Sequence, residues 1–320
     1  MESICIAGAS LICRLPRRHG ILAAMRVGVD LPYFAHAVEI RDYVQAAQEL
    51  GYAHIGFSEH VVSSSASPFP PGLSFDEPWH ESFTLLAFLA AVTTDIELNT
   101  GMTLLTLRPA ALAAKQAAEV DLLSGGRLRL GVSVGWQHRE LDAVGVDPST
   151  RGALIEEQIE AMRLLWTQPL VTYHGTHVVL DEVALHPRPD RSIPIWMGGG
   201  NFDTGGMPRQ VTIRRAARLA DGFKMMAPLG VNLDAGLQFV ERMRTEVEAA
   251  GRDPASFGLE GRLVTHVTPP DQWASNVAAM RNAGVSHFGI ANRIVAGTVA
   301  DQIELITRVA DETRAEWGPR

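Results

Sequence analysis

Two adjacent residues, Glu59 and His60, directly follow an apolar run at residues 53–58. A carboxylate and an imidazole at such a place can orient a substrate or move a proton. They can equally form a structural ion pair. Three glycine-bearing segments share the setting. In Leu98-Asn99-Thr100-Gly101-Met102-Thr103, a glycine flanked by hydroxyl residues suits a bulge on which a flat ring rests, or an ordinary bend. In Leu128-Arg-Leu-Gly-Val-Ser-Val-Gly-Trp136, small residues at Gly131, Ser133 and Gly135 leave room for a planar ligand to approach the backbone, with Trp136 as a ring at the rim. Glycine inside a strand otherwise weakens it, whereas Gly125 and Gly126 read as the cap of the preceding helix. In Gly198-Gly199-Gly200-Asn201, exposed N–H groups shortly before a helix suit a phosphate; a mobile lid over residues 198–207 is the other reading. His266 could be catalytic or a satisfied structural group, and Arg293 could meet a substrate anion.

These positions line up if each apolar run is a strand. Strands are predicted at residues 27–32, 53–58, 97–105, 128–134, 193–197, 222–226, 258–266 and 287–291. Helices are predicted at residues 39–50, 81–92, 110–123, 151–167, 208–219, 233–250, 271–283 and 299–317. Ile155, Ile159, Met162 and Trp166 recur at the helical period and mark a core-facing stripe. Eight β-α repeats predict an α/β fold, a (β/α)8 TIM barrel, in which functional residues gather at the carboxyl ends of the strands. An open doubly wound sheet would carry a glycine fingerprint after its first strand; here that strand runs into Leu31-Pro32-Tyr33-Phe34. A long Ser- and Pro-rich loop at residues 61–80 is of a length that is often functional. A short β excursion interrupts the alternation at residues 172–189.

Composition bounds the partners. The chain has 320 residues, 46% hydrophobic, with a net charge of -8, so a nucleic-acid role has no electrostatic footprint. Cys5 and Cys13 are the only cysteines, which implies no disulfide framework and fits a reducing cytoplasm. The excess of Arg over Lys, with only Lys115 and Lys224, reads as coding bias. An apolar run at residues 3–13 precedes Arg14, Arg17 and Arg18. That order is the reverse of a secretory signal, and the run is too short to span a bilayer. Met25 immediately precedes the first strand, so residues 1–24 are expected to be an upstream extension, disordered or outside the native protein, and residues 25–320 a single domain. The eleven His show no H-x-H pair and no H-E-x-x-H, which argues against a metal site. With neither metal nor covalent apparatus read from the sequence, the hard chemistry is expected from a bound organic cofactor.

As a set, these segments resemble the bacterial luciferase-like monooxygenase superfamily, and within it the coenzyme F420-dependent oxidoreductase branch. The residues that carry the resemblance begin with Asp121-Leu-Leu-Ser-Gly-Gly-Arg-Leu-Arg-Leu-Gly-Val-Ser-Val-Gly-Trp136 and Glu140-Leu-Asp-Ala-Val-Gly145. They continue with Arg151-Gly152, Leu164-Leu-Trp166, Tyr173-His-Gly175, His186-Pro-Arg-Pro189, Ile193-Pro-Ile-Trp-Met-Gly-Gly199 and Arg215-Ala-Ala-Arg-Leu-Ala-Asp-Gly-Phe223. The resemblance covers the chain from Arg26 onward. It implies a TIM barrel with a deazaflavin or flavin across the strand carboxyl ends. A bulge in the third strand, often with a non-proline cis peptide, would back the ring at Thr100, Gly101 and Met102. The turn after strand four would be Val134, Gly135 and Trp136, the phosphate-side loop Gly198, Gly199 and Gly200, and the end of strand six Met225 and Met226. Glu59-His60 would line the ring where F420 relatives more often have Asp-His, with His60 moving a proton or touching the ring. Some F420 dehydrogenases place a Glu after the strand-four glycine, where this chain has Trp136. The expected activity is F420-dependent hydride transfer to or from a small organic substrate. The alternatives are an FMN-dependent monooxygenase using oxygen and a separate flavin reductase, and a non-catalytic cofactor-binding protein. A homodimer is implied by the resemblance; a metal, a nucleic acid and a membrane are not expected as partners.

Overall fold

The computed structural model describes residues 24–66, 74–200, 206–226, 232–292 and 297–317. Apart from Ala24, the expected extension lies outside the described residues, as do Arg293 and residues 201–205 of the glycine-rich loop.

Eight parallel strands close on themselves. They are β1 (Arg26–Asp30), β2 (His54–Phe57), β3 (Glu97–Thr100), β4 (Leu128–Ser133), β5 (Ile195–Gly199), β6 (Gly222–Met225), β7 (Gly258–Val264) and β8 (His287–Ala291). Each pairs with the next, and β8 returns to pair with β1. This is the (β/α)8 barrel that the repeat count predicts. The third strand is not continuous over residues 97–105: it stops at Thr100 and resumes at Thr103–Leu104, and the intervening Gly101–Met102 peptide is cis, at the place where the resemblance implies such a bulge. Around the barrel stand α1 (Ala37–Glu49), α2 (Ser82–Val92), α3 (Ala110–Leu123), α4 (Arg151–Thr167), α5 (Gln210–Leu219), α6 (Leu233–Ala249), α7 (Trp273–Asn282) and α8 (Val299–Thr313). A short helix at His138–Ala143 and an antiparallel hairpin, Val171–His174 with Val179–Val183, complete the described elements that bear on the site. Among the described residues, no helix is long and apolar enough to cross a membrane.

The two faces of the strands have opposite chemistry. Outward residues such as Val27, Ile55, Leu98, Leu130, Phe223 and Phe288 are buried against the helices in one apolar core. The stripe on α4 joins it: Ile155, Ile159, Met162 and Trp166 are all buried, and the Trp166 indole N–H donates to the Ala114 carbonyl of α3 at 2.9 Å. Inward residues are large and polar, with glycines making room for them. Trp196 fills the space over Gly222 and Gly258. The Arg129 guanidinium lies 4.3 Å from its ring centroid, and His287 meets it edge-on at 4.8 Å.

Above this plug, six charged groups among the described residues occupy the lumen. Arg129 bonds Glu97 at 2.6 Å and Glu260 at 2.8 Å. The Lys224 ammonium lies 2.9 Å from Glu260 and 3.5 Å from Asp30, and Arg262 bonds Asp30. All six are nearly or wholly shielded from solvent, Glu97 being the most accessible. Three cations thus face three carboxylates, with half-exposed Arg26 also bonding Glu97 at 2.7 Å. Burial alone pushes the carboxyls up, but the cations win: Arg129 and Arg26 hold Glu97 at about 2, and Lys224 and Arg129 hold Glu260 well below the carboxylate range. Burial holds His54 and His287 below their ordinary value, so these two imidazoles stay neutral.

Two outcomes follow from this lumen. Lys224→Met removes one partner of a buried pair and is expected to lower the unfolding free energy by about 3–5 kcal/mol in urea denaturation, with part of the loss recovered when Glu260→Gln is added. Glu97 has a folded pKa below its unfolded value near 4.5, so its contribution, about 3 kcal/mol, is present above that value and is lost as pH falls toward about 2. Acid unfolding followed by circular dichroism checks this, and Glu97→Gln should flatten the profile in that window.

Candidate active site

The break in the third strand is built by its neighbours. Gly101 N–H donates to Phe57 O at 2.5 Å, and the Ser58 hydroxyl donates to Gly101 O at 2.8 Å. The Thr100 hydroxyl accepts from Gly131 N–H at 2.8 Å and donates to Gly131 O at 2.6 Å, tying the bend to β4. A Cβ on Gly101 would lie 2.7 Å from the Lys224 ammonium, so a larger residue here would displace the lysine head from its place in the charged lumen. Met102 is buried, and a Cβ on either Gly131 or Gly198 would approach within 3.0 Å of its sulfur. Here the sequence reading needs correction: the room left by Gly131 is filled by the Thr100 carbonyl and the Met102 thioether, not held open for a ligand. Ser133 sits at the centre of a Gly-x-Ser-x-Gly spacing, but it is the last residue of β4 rather than a nucleophile at a sharp strand-to-helix turn.

Glu59 and His60 part company after β2. Glu59 is fully buried and accepts from Ser82 N–H and Leu104 N–H, both at 2.9 Å, and from both terminal nitrogens of Arg108. Arg108 also bonds Glu81, whose carboxylate caps α2 at Phe83 and Thr84. Glu59 therefore fastens together the β2 loop, the start of α2 and the far side of the strand break. His60 turns to a residue that sequence reasoning did not single out as functional. Its Nδ1 lies 2.8 Å from Glu140 Oε2, and Glu140 Oε1 accepts from Val61 N–H at 2.6 Å. Both side chains are almost completely shielded from solvent. A carboxylate on Nδ1 fixes the ring and favours the tautomer with its proton on that nitrogen. Trp79 and Trp136 meet the imidazole edge-on, with centroids at 4.5 and 5.8 Å.

The remaining candidates lie on the other side of the mouth. Gly135 takes a positive φ of 72° that aims the chain from β4 into the short helix carrying Glu140. Val134 lines a cavity of about 580 Å³ together with His138, Asp147, Arg151, Gly152, Arg209, Thr212 and Arg215. Gly199 abuts this wall: a Cβ there would lie 3.3 Å from Thr212 Cγ2. Helices α4 and α5 both begin here without a side-chain cap, so their first N–H groups add positive potential. Among the described residues neither Arg151 nor Arg209 has a carboxylate partner, while Arg215 bonds Glu156 at 2.8 Å. Gly200 sits against Met226, whose Cβ would be 3.2 Å from one on the glycine. Met225 is fully buried in the apolar layer under the helices, so the side chain that β6 brings toward the mouth is that of Met226. His266 is exposed in the turn after β7. Asn292 bonds Tyr43 and Gln302 and closes β8. Among the described residues, no group of three or more His, Cys, Asp or Glu is placed to hold a metal ion.

Known proteins share this architecture. The luciferase-like monooxygenase family model matches residues 18–316. An uncharacterised protein of Mycobacterium tuberculosis is 31% identical over 227 residues, covering 67% of this chain and 76% of its own length. Pyrimidine monooxygenase RutA of Escherichia coli is 33% identical over 186 residues, 56% of this chain and 48% of that protein, so this chain spans about half of it. The solved structure of the coenzyme F420-dependent tetrahydromethanopterin reductase of Methanopyrus kandleri superimposes with a TM-score of 0.72 at 16% identity, covering 92% of this chain and 100% of that one. At that identity the likeness speaks for the barrel alone. By its barrel, its interrupted third strand and the match along nearly its whole length, the chain belongs to the luciferase-like monooxygenase family and, with it, to the oxidoreductases.

Proposed function

We propose that this protein is a coenzyme F420-dependent oxidoreductase acting on a small organic substrate. The observation that carries this reading is the cavity of about 580 Å³ beside Val134 and Gly199, whose three guanidiniums, imidazole and two uncapped helix starts face a single lining carboxylate, Asp147. That donor set suits a cofactor tail carrying a phosphate and further carboxylates, which is more negative charge than a single FMN phosphate brings. Gly198, Gly199 and Gly200 would carry backbone past the tail, Thr100, Gly101 and Met102 would back the ring, and Met226 would close its side in place of Met225. Val134, Gly135 and Trp136 would form the opposing rim.

When bound, F420 supplies a carrier that donates or accepts hydride. The chain's own part is to hold and move the proton that accompanies it. Glu140 keeps the His60 Nδ1–H in place, and His60 Nε2 gives or takes the proton at the substrate. Glu59, committed to Arg108 and two backbone N–H groups, positions the loop that bears His60. A second reading, an FMN-dependent monooxygenase served by a separate reductase, is favoured by the similarity to RutA and by Trp136 at the position where some F420 dehydrogenases carry a Glu.

Parallel fluorescence titrations with oxidised F420 and FMN test this. Tight F420 binding without an FMN response is expected, with Arg209→Gln weakening it about tenfold and less so in high salt. Tight FMN binding alone would move the protein to the oxygen-using reading. With a substrate found by screening reduced F420, His60→Gln is expected to lower kcat by about 10²- to 10⁴-fold while the cofactor Kd stays within about twofold. An unchanged kcat would remove His60 from the chemistry.

A further inference from the structure

Gln137 brings a whole carboxamide into the interior with nothing bonded to it. The residue is 2% exposed, yet among the described residues neither its Oε1 nor its Nε2 has a hydrogen-bond partner. Buried polar side chains are normally bonded, and an unmet donor and acceptor cost stability. Asn99 is the other side-chain amide in this state among the described residues, and it lies in the lumen beside Asp30 and Lys224, around Gly56. Gln137 instead stands at the mouth, directly after Trp136.

The short helix His138–Ala143 shows which way it faces. Gln137 is the N-cap of that helix, with φ -81° and ψ 108°, and its side chain makes no capping bond. A Ser or Asp at this place would take the first free N–H groups. Gln137, Glu140 and Leu141 are buried, while His138, Arg139, Asp142 and Ala143 are exposed. Spacings of three and four residues put the buried set on one face. On that face Glu140 bonds His60 Nδ1 at 2.8 Å and Val61 N–H at 2.6 Å. Gln137 therefore belongs to the inner face, one turn nearer β4 than the carboxylate that holds His60.

A carboxamide offers an N–H donor and a C=O acceptor side by side. Both are met at once by a planar edge with a C=O beside an N–H, as in a lactam or an imide. An N-alkylated ring meets one and leaves the other unpaired. Because the amide is already withdrawn from water, the fold rather than the binding step bears its desolvation, and a ligand lacking the N–H is rejected by the group it leaves unpaired.

We infer that Gln137 is a recognition residue that reads a lactam or imide edge of a ring bound in the barrel mouth. The edge belongs to the cofactor, since deazaflavin and flavin rings both carry an imide, or to the substrate. The inference rests on reading the barrel mouth as the reaction site and not on which cofactor binds there.

The test has two arms, both on the full chain. Fluorescence titration compares F420 and FMN with their forms methylated at the imide nitrogen. Ligand-observed NMR compares glutarimide with N-methylglutarimide, with and without cofactor. In one arm the N–H form is expected to bind about tenfold more tightly than the N-methyl form, and Gln137→Met, which keeps the side chain's length, should erase that preference. A preference in the first arm assigns the edge to the cofactor; one in the second assigns it to the substrate. Without ligand, Gln137→Met and Gln137→Leu should unfold at the same or a higher urea concentration than the parent, because an unbonded buried amide is gone. A merely structural amide would do the reverse: the urea midpoint would fall and every ligand preference would stay. That result, a preference in neither arm, or a preference that survives Gln137→Met would overturn the inference. Loss of F420 binding alone, with the N–H preference intact for FMN or glutarimide, would sink only the F420 assignment.

Discussion

The balance of charge inside the barrel is the constraint on which the rest of the molecule depends. Asp30, Glu97 and Glu260 face Arg129, Lys224 and Arg262 in a space nearly sealed from water. Ions in that setting are tolerated only in near-complete pairing, because desolvation rivals attraction. Long polar side chains also need volume, and strands supply it by placing glycine where a neighbour's side chain lies. Gly56 and Gly101 give way to Lys224, and Gly222 and Gly258 to Trp196. The break in the third strand belongs to the same logic, since it turns the chain over the ammonium at the one residue lacking a Cβ.

The lumen and the mouth are joined through Gly101 and Met102. Below them the packing is fixed by ion pairs; above them the loops carry the rings and the His60–Glu140 pair. The Glu59–Arg108–Glu81 bridge secures the upper layer, because it ties the β2 loop, the start of α2 and the resumed third strand into one unit. His60 is thus held from two directions, by Glu140 on its ring and by Glu59 on its backbone neighbour. Proton transfer needs that kind of fixed geometry.

The barrel was legible because outward strand residues and helix stripes follow their periods cleanly. Glycine near the ends of β4 and β5 marked where those strands stop. The reason attached to Gly131 was not legible, since the residues that fill its space come from a different strand, about thirty positions earlier in the chain. Glu140 was visible within a family motif, but its partnership with His60 spans 80 residues of sequence and has no local signature. Lys224 looked like an accident of composition; its place at the centre of the lumen emerges only when the five strands that carry the lumen charges are assembled. The choice between Met225 and Met226 turns on strand parity at a single residue, and a boundary error of one position reverses it.

The lumen charges also divide unevenly along the chain. Leaving aside half-exposed Arg26, strands β1 to β4 contribute two carboxylates and one guanidinium, while β5 to β8 contribute two cations and one carboxylate. Each half-barrel alone would therefore hold an unbalanced charge, negative in the first and positive in the second. Neither half can bury its inner face by itself, and each is the electrostatic complement of the other. The six lumen charges are therefore balanced only in the closed barrel, where each half supplies the countercharges of the other.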